Sequence, residues 1–317
     1  MARYRRAGAD PLFRDPARDH GAPFEGYYWR FTDAVRRRVV VALCGLSTHP
    51  GTRSALVGLA VHPEGVVRSA ILPEVRGDAG RFGVSAGDAL DASPAAVRVA
   101  PTPGDWVEVT IEDARPWPRD LLGGSGVAQL IPGLPQYWHP HLIGGRVRGT
   151  LTVGGERTTL DGATVYAEKN WGRDFPRRWW WGQADAFGRD DVCVAFAGGP
   201  VRVARLAIRP TLVVVRLGDR LVALAPPLAV TTAAAGRQGW RIRAHSARYR
   251  VEIEGEDGGS AVALPVPVTG ARMAETRAHH VLAGGLSVSV WRGRRRLFLG
   301  ESALAGLERA REGDTCG

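Results

Sequence analysis

ATVYAEKNWGRDFPRRWWWGQADAF, residues 163–187, reads as a strand, a turn and a second strand. On the first strand Tyr166, Glu168 and Asn170 share one face, and Val165, Ala167, Lys169 and Trp171 share the other, because side chains alternate along an extended chain. Gly172, Asp174 and Pro176 supply turn chemistry. On the second strand Trp179, Trp181, Gln183 and Asp185 point one way, and Arg178, Trp180 and Ala184 the other. Large indoles on both faces of one strand suit a wall between two environments better than a single simple core.

Outward from this stretch the same period recurs. WVEVTIED (106–113), GRVRGTLTV (145–153), GWRIRAHSA (239–247), RYRVEIEG (248–255) and GLSVSVWRG (285–293) alternate with a period near two. VVVALCGL (39–46) is a continuous apolar strand, and HPGT (49–52) and LGDR (217–220) are turns. Helical signal is confined to Glu301–Arg311, where Leu304, Leu307 and Ala310 recur every third residue. The expected class is all-β, with antiparallel barrel or sandwich closure to hide strand edges and one short C-terminal helix.

The two halves resemble each other. FEGYYWRF (24–31) matches RWWWGQADAF (178–187), and VVVALCGL from Val39 matches VCVAFAGG from Val192. LAVHP ending at Pro63 matches LAIRP ending at Pro210, and VEVTIE from Val107 matches VEIEGE from Val251. This order suggests two β domains, 1–155 and 156–317, with a Pro/Gly-rich insertion at about 113–145 that serves as a loop or lid.

Composition narrows the partners. The formal charge is +10, yet the arginines are dispersed and their dense runs, Arg36–Arg38 and Arg292–Arg296, lack interleaved aromatics. That argues against nucleic acid. A few exposed basic residues near anionic lipid suffice for peripheral membrane contact. Cys44, Cys193 and Cys316 are far apart without CxxC spacing, which indicates neither a disulfide framework nor a zinc ribbon. His139 and His141 form an HxH pair and His279 and His280 are adjacent, but neither has a spaced third ligand, so no metal is expected. No secretory signal or apolar run of ~20 residues is seen, and the expected location is cytoplasmic.

Lys169 and Asn170 are the only lysine and the only asparagine in the chain. Arginine serves on almost any solvated surface, whereas lysine suits a place that needs a compact ammonium or a shiftable pKa. Tyr166, Glu168 and Asn170 on one face, if buried, form either a satisfied polar network or a site.

The chain resembles the tocopherol cyclase family. The matching residues are Phe24-Glu25-Gly26-Tyr27-Tyr28, Tyr166 to Gly172, Phe175-Pro176, Trp179-Trp180-Trp181 and Gln183. Tyr27 stands where the family usually has Trp, and Ala184-Asp185 follow Gln183 where plant members have Cys-Asn. The resemblance implies a tandem lipocalin-like (calycin) fold. It also implies cofactor-free, acid-catalysed closure of a prenylated hydroquinone to a chromanol, an isomerase reaction of the intramolecular lyase type. An acid protonates a trisubstituted alkene, and the ring hydroxyl captures the tertiary cation in a dry cavity. Indole faces stabilise the cation by up to ~2 kcal/mol each when desolvated. The candidate acids are Glu168, Asp174, Asp185 and Glu25, with Glu168 favoured by its strand neighbours. Lys169 is expected to orient a carboxylate from the opposite face. Tyr166, Asn170, Trp171, Trp179, Trp181, Gln183, Glu25 and Tyr28 form the expected substrate-binding set. The alternatives are a non-catalytic carrier of prenyl lipids, a hydratase or isomerase of a terpenoid alkene, and an interaction domain whose aromatic strands are only core.

Overall fold

The computed structural model describes residues 22–310 apart from 50–51, 74, 79–82, 119–120, 132, 174, 177, 204–205, 237–238 and 267–276. The chain divides into two compact units. The first comprises Met1–Gly123, Gln129–Phe175 and Leu264–Arg277, and the second Gly124–Ala128, Pro176–Ala263 and Ala278–Gly317.

The first unit is built on β1 (Phe24–Asp33), β2 (Arg38–His49), β3 (Thr52–His62), β4 (Val66–Leu72), β5 (Arg76–Asp78), β6 (Gly83–Ala86) and β7 (Leu90–Ala92). It continues with β8 (Ala96–Thr102), β9 (Asp105–Glu112), β10 (Gln136–Leu142), β11 (Arg146–Val153), β12 (Glu156–Thr159) and β13 (Thr164–Gly172). These make one antiparallel sheet in the order β4-β3-β2-β1-β13-β11-β9-β8-β7-β6-β5, with β10 paired to β13 and β12 to β11. The sheet curls until β3 and β4 lie against β8, which closes it over its core. Val40, Leu59, Val99, Val107 and Leu151 fill that core from alternate positions. Each contributes roughly 1.5–3 kcal/mol by leaving water.

The second unit holds β14 (Trp179–Ala184), β15 (Val192–Gly198), β16 (Val201–Val203), β17 (Leu206–Ile208), β18 (Thr211–Leu217) and β19 (Arg220–Leu224). Its remaining strands are β20 (Val230–Gly236), β21 (Gly239–His245), β22 (Tyr249–Glu256), β23 (Ala261–Pro265), β24 (Arg277–Arg292) and β25 (Arg295–Ala310), except that Leu264, Pro265 and Arg277 fall in the first unit. The main sheet runs β19-β18-β15-β14-β25-β24-β22-β21-β20, and β16 and β17 pair separately. LGDR turns β18 into β19, with Gly218 at a φ of 60° that a side chain would strain.

The two sheet orders correspond strand for strand at their centres. β1 lies between β2 and β13, the last strand of its unit, and β14 lies between β15 and β25, the last of its own. β9 and β22 also occupy equivalent places, so three of the four sequence matches join equivalent strands. The fourth does not, since LAVHP closes β3 whereas LAIRP contains β17.

Two expectations are corrected. Glu301–Ala310 is not helical but the second half of β25, hydrogen-bonded to β24 on one side and β14 on the other. Glu301 and Ala303 are exposed, but Leu304 to Leu307 are buried on both faces, and that local apolar run hides the period of two and imitates helical spacing. The stretch 113–145 also contains more than loop, because β10 lies within it. The register of β10 on β13 slips between His139 and Leu142. Pro140 sits in that gap and has no N–H to donate to a ladder, which masks the strand in the sequence.

Candidate functional site

Three neighbouring strands of the first unit position the YAEKNWG residues. β13 is paired with β1 on one edge, where Tyr27 faces Lys169 and Tyr28 faces Glu168. On its other edge β13 meets β11 only at Thr164, and β10 takes over from there, placing Trp138 opposite Asn170 and His139 opposite Lys169. With both edges covered, the alternation of β13 becomes a separation of two buried polar groups.

On one face the Glu168 carboxylate, 4 % exposed, accepts hydrogen bonds from neighbouring side chains. Trp138 Nε1 donates to Oε2 at 2.8 Å, Tyr166 Oη donates to the same oxygen at 2.6 Å, and Asn170 Nδ2 donates to Oε1 at 3.0 Å. Gln136 Nε2 donates to Asn170 Oδ1 at 3.2 Å and so fixes the amide that grips Glu168.

The opposite face carries an ion pair. Lys169 Nζ lies 3.1 Å from Glu25 Oε2, and Tyr27 Oη donates to Glu25 Oε1. The ammonium also sits 5.1 Å from the Trp171 ring centroid and 5.7 Å from that of Tyr27. Such a slot between two rings takes a compact cation, which gives the lone lysine a physical reason. Trp171 is stacked on Tyr137 with centroids 5.2 Å apart. Burial, with help from the Glu25 charge, pushes the Cys44 thiol well above its usual pKa. Burial, His141 and the Lys169 charge hold His139 well below the ordinary imidazole value. Burial and Lys169 lower His141 to about 3.

Trp179, Trp181 and Gln183 belong to the second unit. Trp180 enters the core there, while Trp179 and Trp181 face a carboxylate–imidazole pair. His280 Nδ1 is 2.7 Å from Glu308 Oε2, Trp179 Nε1 donates to Glu308 Oε1 at 2.5 Å, and the Trp181 ring lies 5.6 Å from that of His280. Gln183 Nε2 donates weakly to Cys193 Sγ at 3.8 Å. Asp185 is 5 % exposed and neither of its carboxyl oxygens has a hydrogen-bond partner among the described residues. Asp174, a candidate acid, lies outside the described residues.

The sequence profile described as Tocopherol cyclase-like matches residues 125–310, more than half of the chain and including both the Glu168 and the Glu308 networks. This protein belongs to the tocopherol cyclase-like family. The chloroplastic tocopherol cyclase of Zea mays is 27 % identical over 151 residues, covering 46 % of this chain and 32 % of the maize protein. A probable chloroplastic tocopherol cyclase of Oryza sativa subsp. japonica is 26 % identical over 148 residues, 45 % of this chain and 32 % of the rice protein. The alignments thus span about a third of the length of these relatives.

Two solved structures show that the fold of this family member is shared. Kievitone hydratase from Nectria haematococca superposes with a TM-score of 0.56 at 13 % identity, covering 92 % of this chain and 90 % of its own. CghA superposes at 0.54 with 14 % identity, covering 97 % and 93 %. The lipocalin-like, all-β expectation stands.

Within this tocopherol cyclase-like chain the structure brings Tyr166, Glu168 and Asn170 together. It gathers Glu25 and Lys169 with Trp171 on the reverse face, and sets Tyr28 opposite Glu168 in register. Sequence reasoning did not assign Trp138, Glu308 or the pairing of His280. Trp138 was visible only as part of WHPH inside a presumed loop, and Glu308 was hidden in the presumed helix. Among the described residues no group of three His, Cys, Asp or Glu is placed to hold a metal ion, and no helix is long and apolar enough to cross a membrane.

Proposed function

We propose that this chain is a cofactor-independent acid catalyst that closes a ring on a prenylated hydroquinone or a related isoprenoid lipid. The observation that carries this reading is the buried Glu168 carboxyl held by Tyr166, Asn170 and Trp138 within the stretch most specific to the family. In its protonated form Glu168 gives a proton to the less substituted carbon of a trisubstituted alkene, leaving a tertiary cation. The ring hydroxyl oxygen bonds to that cationic carbon and loses its proton, which returns to the Glu168 carboxylate. Atoms balance without an added reactant, so the product is an isomer of the substrate.

The neighbours have complementary roles. Trp138 places an indole beside the carboxyl and stabilises a nearby cation without trapping it. Asn170 and Gln136 offer amide groups for hydroxyl oxygens, and burial of the network excludes water that would otherwise capture the cation. Lys169 and Glu25 hold the reverse face of the same strand rigid.

Extended incubation with a prenylated hydroquinone, followed by liquid chromatography and mass spectrometry, tests the proposal. The expected product has unchanged mass and one fewer free hydroxyl, and Glu168→Gln abolishes its formation. A product heavier by one water identifies a hydratase instead. Binding of the lipid without any conversion identifies a carrier. Wild-type turnover by Glu168→Gln removes Glu168 from the role of acid.

A further inference from the structure

Gln129, in the 3-10 turn Gly126–Leu130, is fully buried, yet neither its Oε1 nor its Nε2 has a hydrogen-bond partner among the described residues. Trp117 is 5 % exposed and its Nε1 likewise has no partner among them. Both flank the same imidazole. The Trp117 and His139 rings meet edge to face with centroids 5.5 Å apart. A Cβ at Gly123 would lie 2.5 Å from Gln129 Oε1 and 2.6 Å from His139 Nδ1, so the amide and the imidazole converge on a backbone that carries no side chain. The arrangement is anchored, since Trp117 N donates to His141 O at 2.9 Å and ties this segment to β10.

A dry, unpartnered polar atom costs about 1–3 kcal/mol. Three of them gathered around one buried histidine are a costly way to build a core and an effective way to recognise a polar group. We propose that Gln129 and Trp117, beside His139, bind a neutral hydroxyl group carried by an otherwise apolar molecule. The chemistry of the lining selects this group. A hydroxyl donates to Gln129 Oε1 and accepts from an N–H of Gln129 or Trp117, and exchanging the two ends of the amide changes nothing in that inventory. A carbonyl would leave Oε1 unanswered. An ion would enter an apolar region without a counter-charge, because Lys169 is already matched by Glu25 and His139 is held neutral.

This site is separate from the Glu168 network and its test requires no turnover. The probes are para-heptylphenol and heptylbenzene, which differ by one hydroxyl, titrated into the full chain by calorimetry. The wild type is expected to bind the phenol roughly tenfold or more tightly than the hydrocarbon, since a site built for a hydroxyl penalises its absence. Gln129→Leu is expected to erase that preference, leave heptylbenzene affinity unchanged and leave the thermal midpoint equal or higher. Trp117→Phe keeps an aromatic ring against His139, removes the indole N–H together with its five-membered ring, and is expected to weaken the preference; it carries the test if the leucine variant fails to fold. Equal affinity of the wild type for both probes overturns the proposal, as does a preference that survives both substitutions. A lower midpoint in Gln129→Leu with the phenol preference intact shows a water-filled structural pocket and also overturns it.

Discussion

Lys169 and Glu25 face one another from paired strands, Nζ to Oε2 at 3.1 Å, with side chains 3 % and 1 % exposed. An ion pair this deep contributes little over a well-packed apolar pair, but removing one partner strands the other charge. Glu25→Leu alone is expected to cost on the order of 3–5 kcal/mol, and Lys169→Met alone a similar amount. The double variant is expected to regain most of the loss. Denaturant melts of the two single variants and the double variant check this, and additive losses would show that the pair is not coupled.

Lys169→Arg tests the shape of the slot. The guanidinium is broader than an ammonium and must fit between the Trp171 and Tyr27 rings while reaching Glu25. Overpacking of this sort costs typically about 1–3 kcal/mol. A variant that melts with the wild type would mean that the lone lysine has no steric reason.

Trp180 and Trp181 are adjacent but should respond differently. Trp180 packs in the core of the second unit, so Trp180→Ala is expected to lose about 3–5 kcal/mol of stability. Trp181 contacts His280, so Trp181→Phe, which keeps an aromatic ring there, is expected to remain folded. Thermal midpoints of the two variants decide the matter, and the reverse order would invert the assignment of faces.

Acid should weaken the first unit through its histidines. His141 falls from 6.5 unfolded to about 3 folded, and His139 is lowered in the same direction. The unfolded chain therefore binds more protons between those values, and stability rises with pH across that window and is lost as pH falls below about 6.5. Each histidine adds a slope of at most ~1.4 kcal/mol per pH unit. His141→Gln is expected to flatten the profile, as read by denaturant midpoints from pH 4 to pH 7; an unchanged slope would exclude His141 as its source.

The reaction proposed for Glu168 also has a sign. Its acid form does the work, so turnover is expected to fall as pH rises, by about tenfold per unit on the limiting limb. A rate that instead climbs with pH would point to a basic group in control.

How much of this was legible in the sequence differs by element. Strands whose two faces see different surroundings, such as β9 and β22, wrote their alternation plainly. β25 did not, because the successive buried residues Leu304 to Leu307 interrupt the alternation that exposed Leu299, Glu301 and Ala303 begin. β10 was obscured by Pro140. The separation of Glu168 from Lys169 followed directly from their adjacency on β13. What each of them meets did not, since Trp138, Glu25 and Tyr27 come from strands far away in the chain and only pairing register brings them together.

Cys44 and Cys193 are buried thiols outside any disulfide, one in each unit. Only a thiolate reacts readily with alkylating reagents, and burial withholds both access and, for Cys44, ionisation. With Cys316 replaced, the chain carries one silent reporter per unit, and the pace at which each becomes labelled clocks how often that unit breathes open, independently of its neighbour.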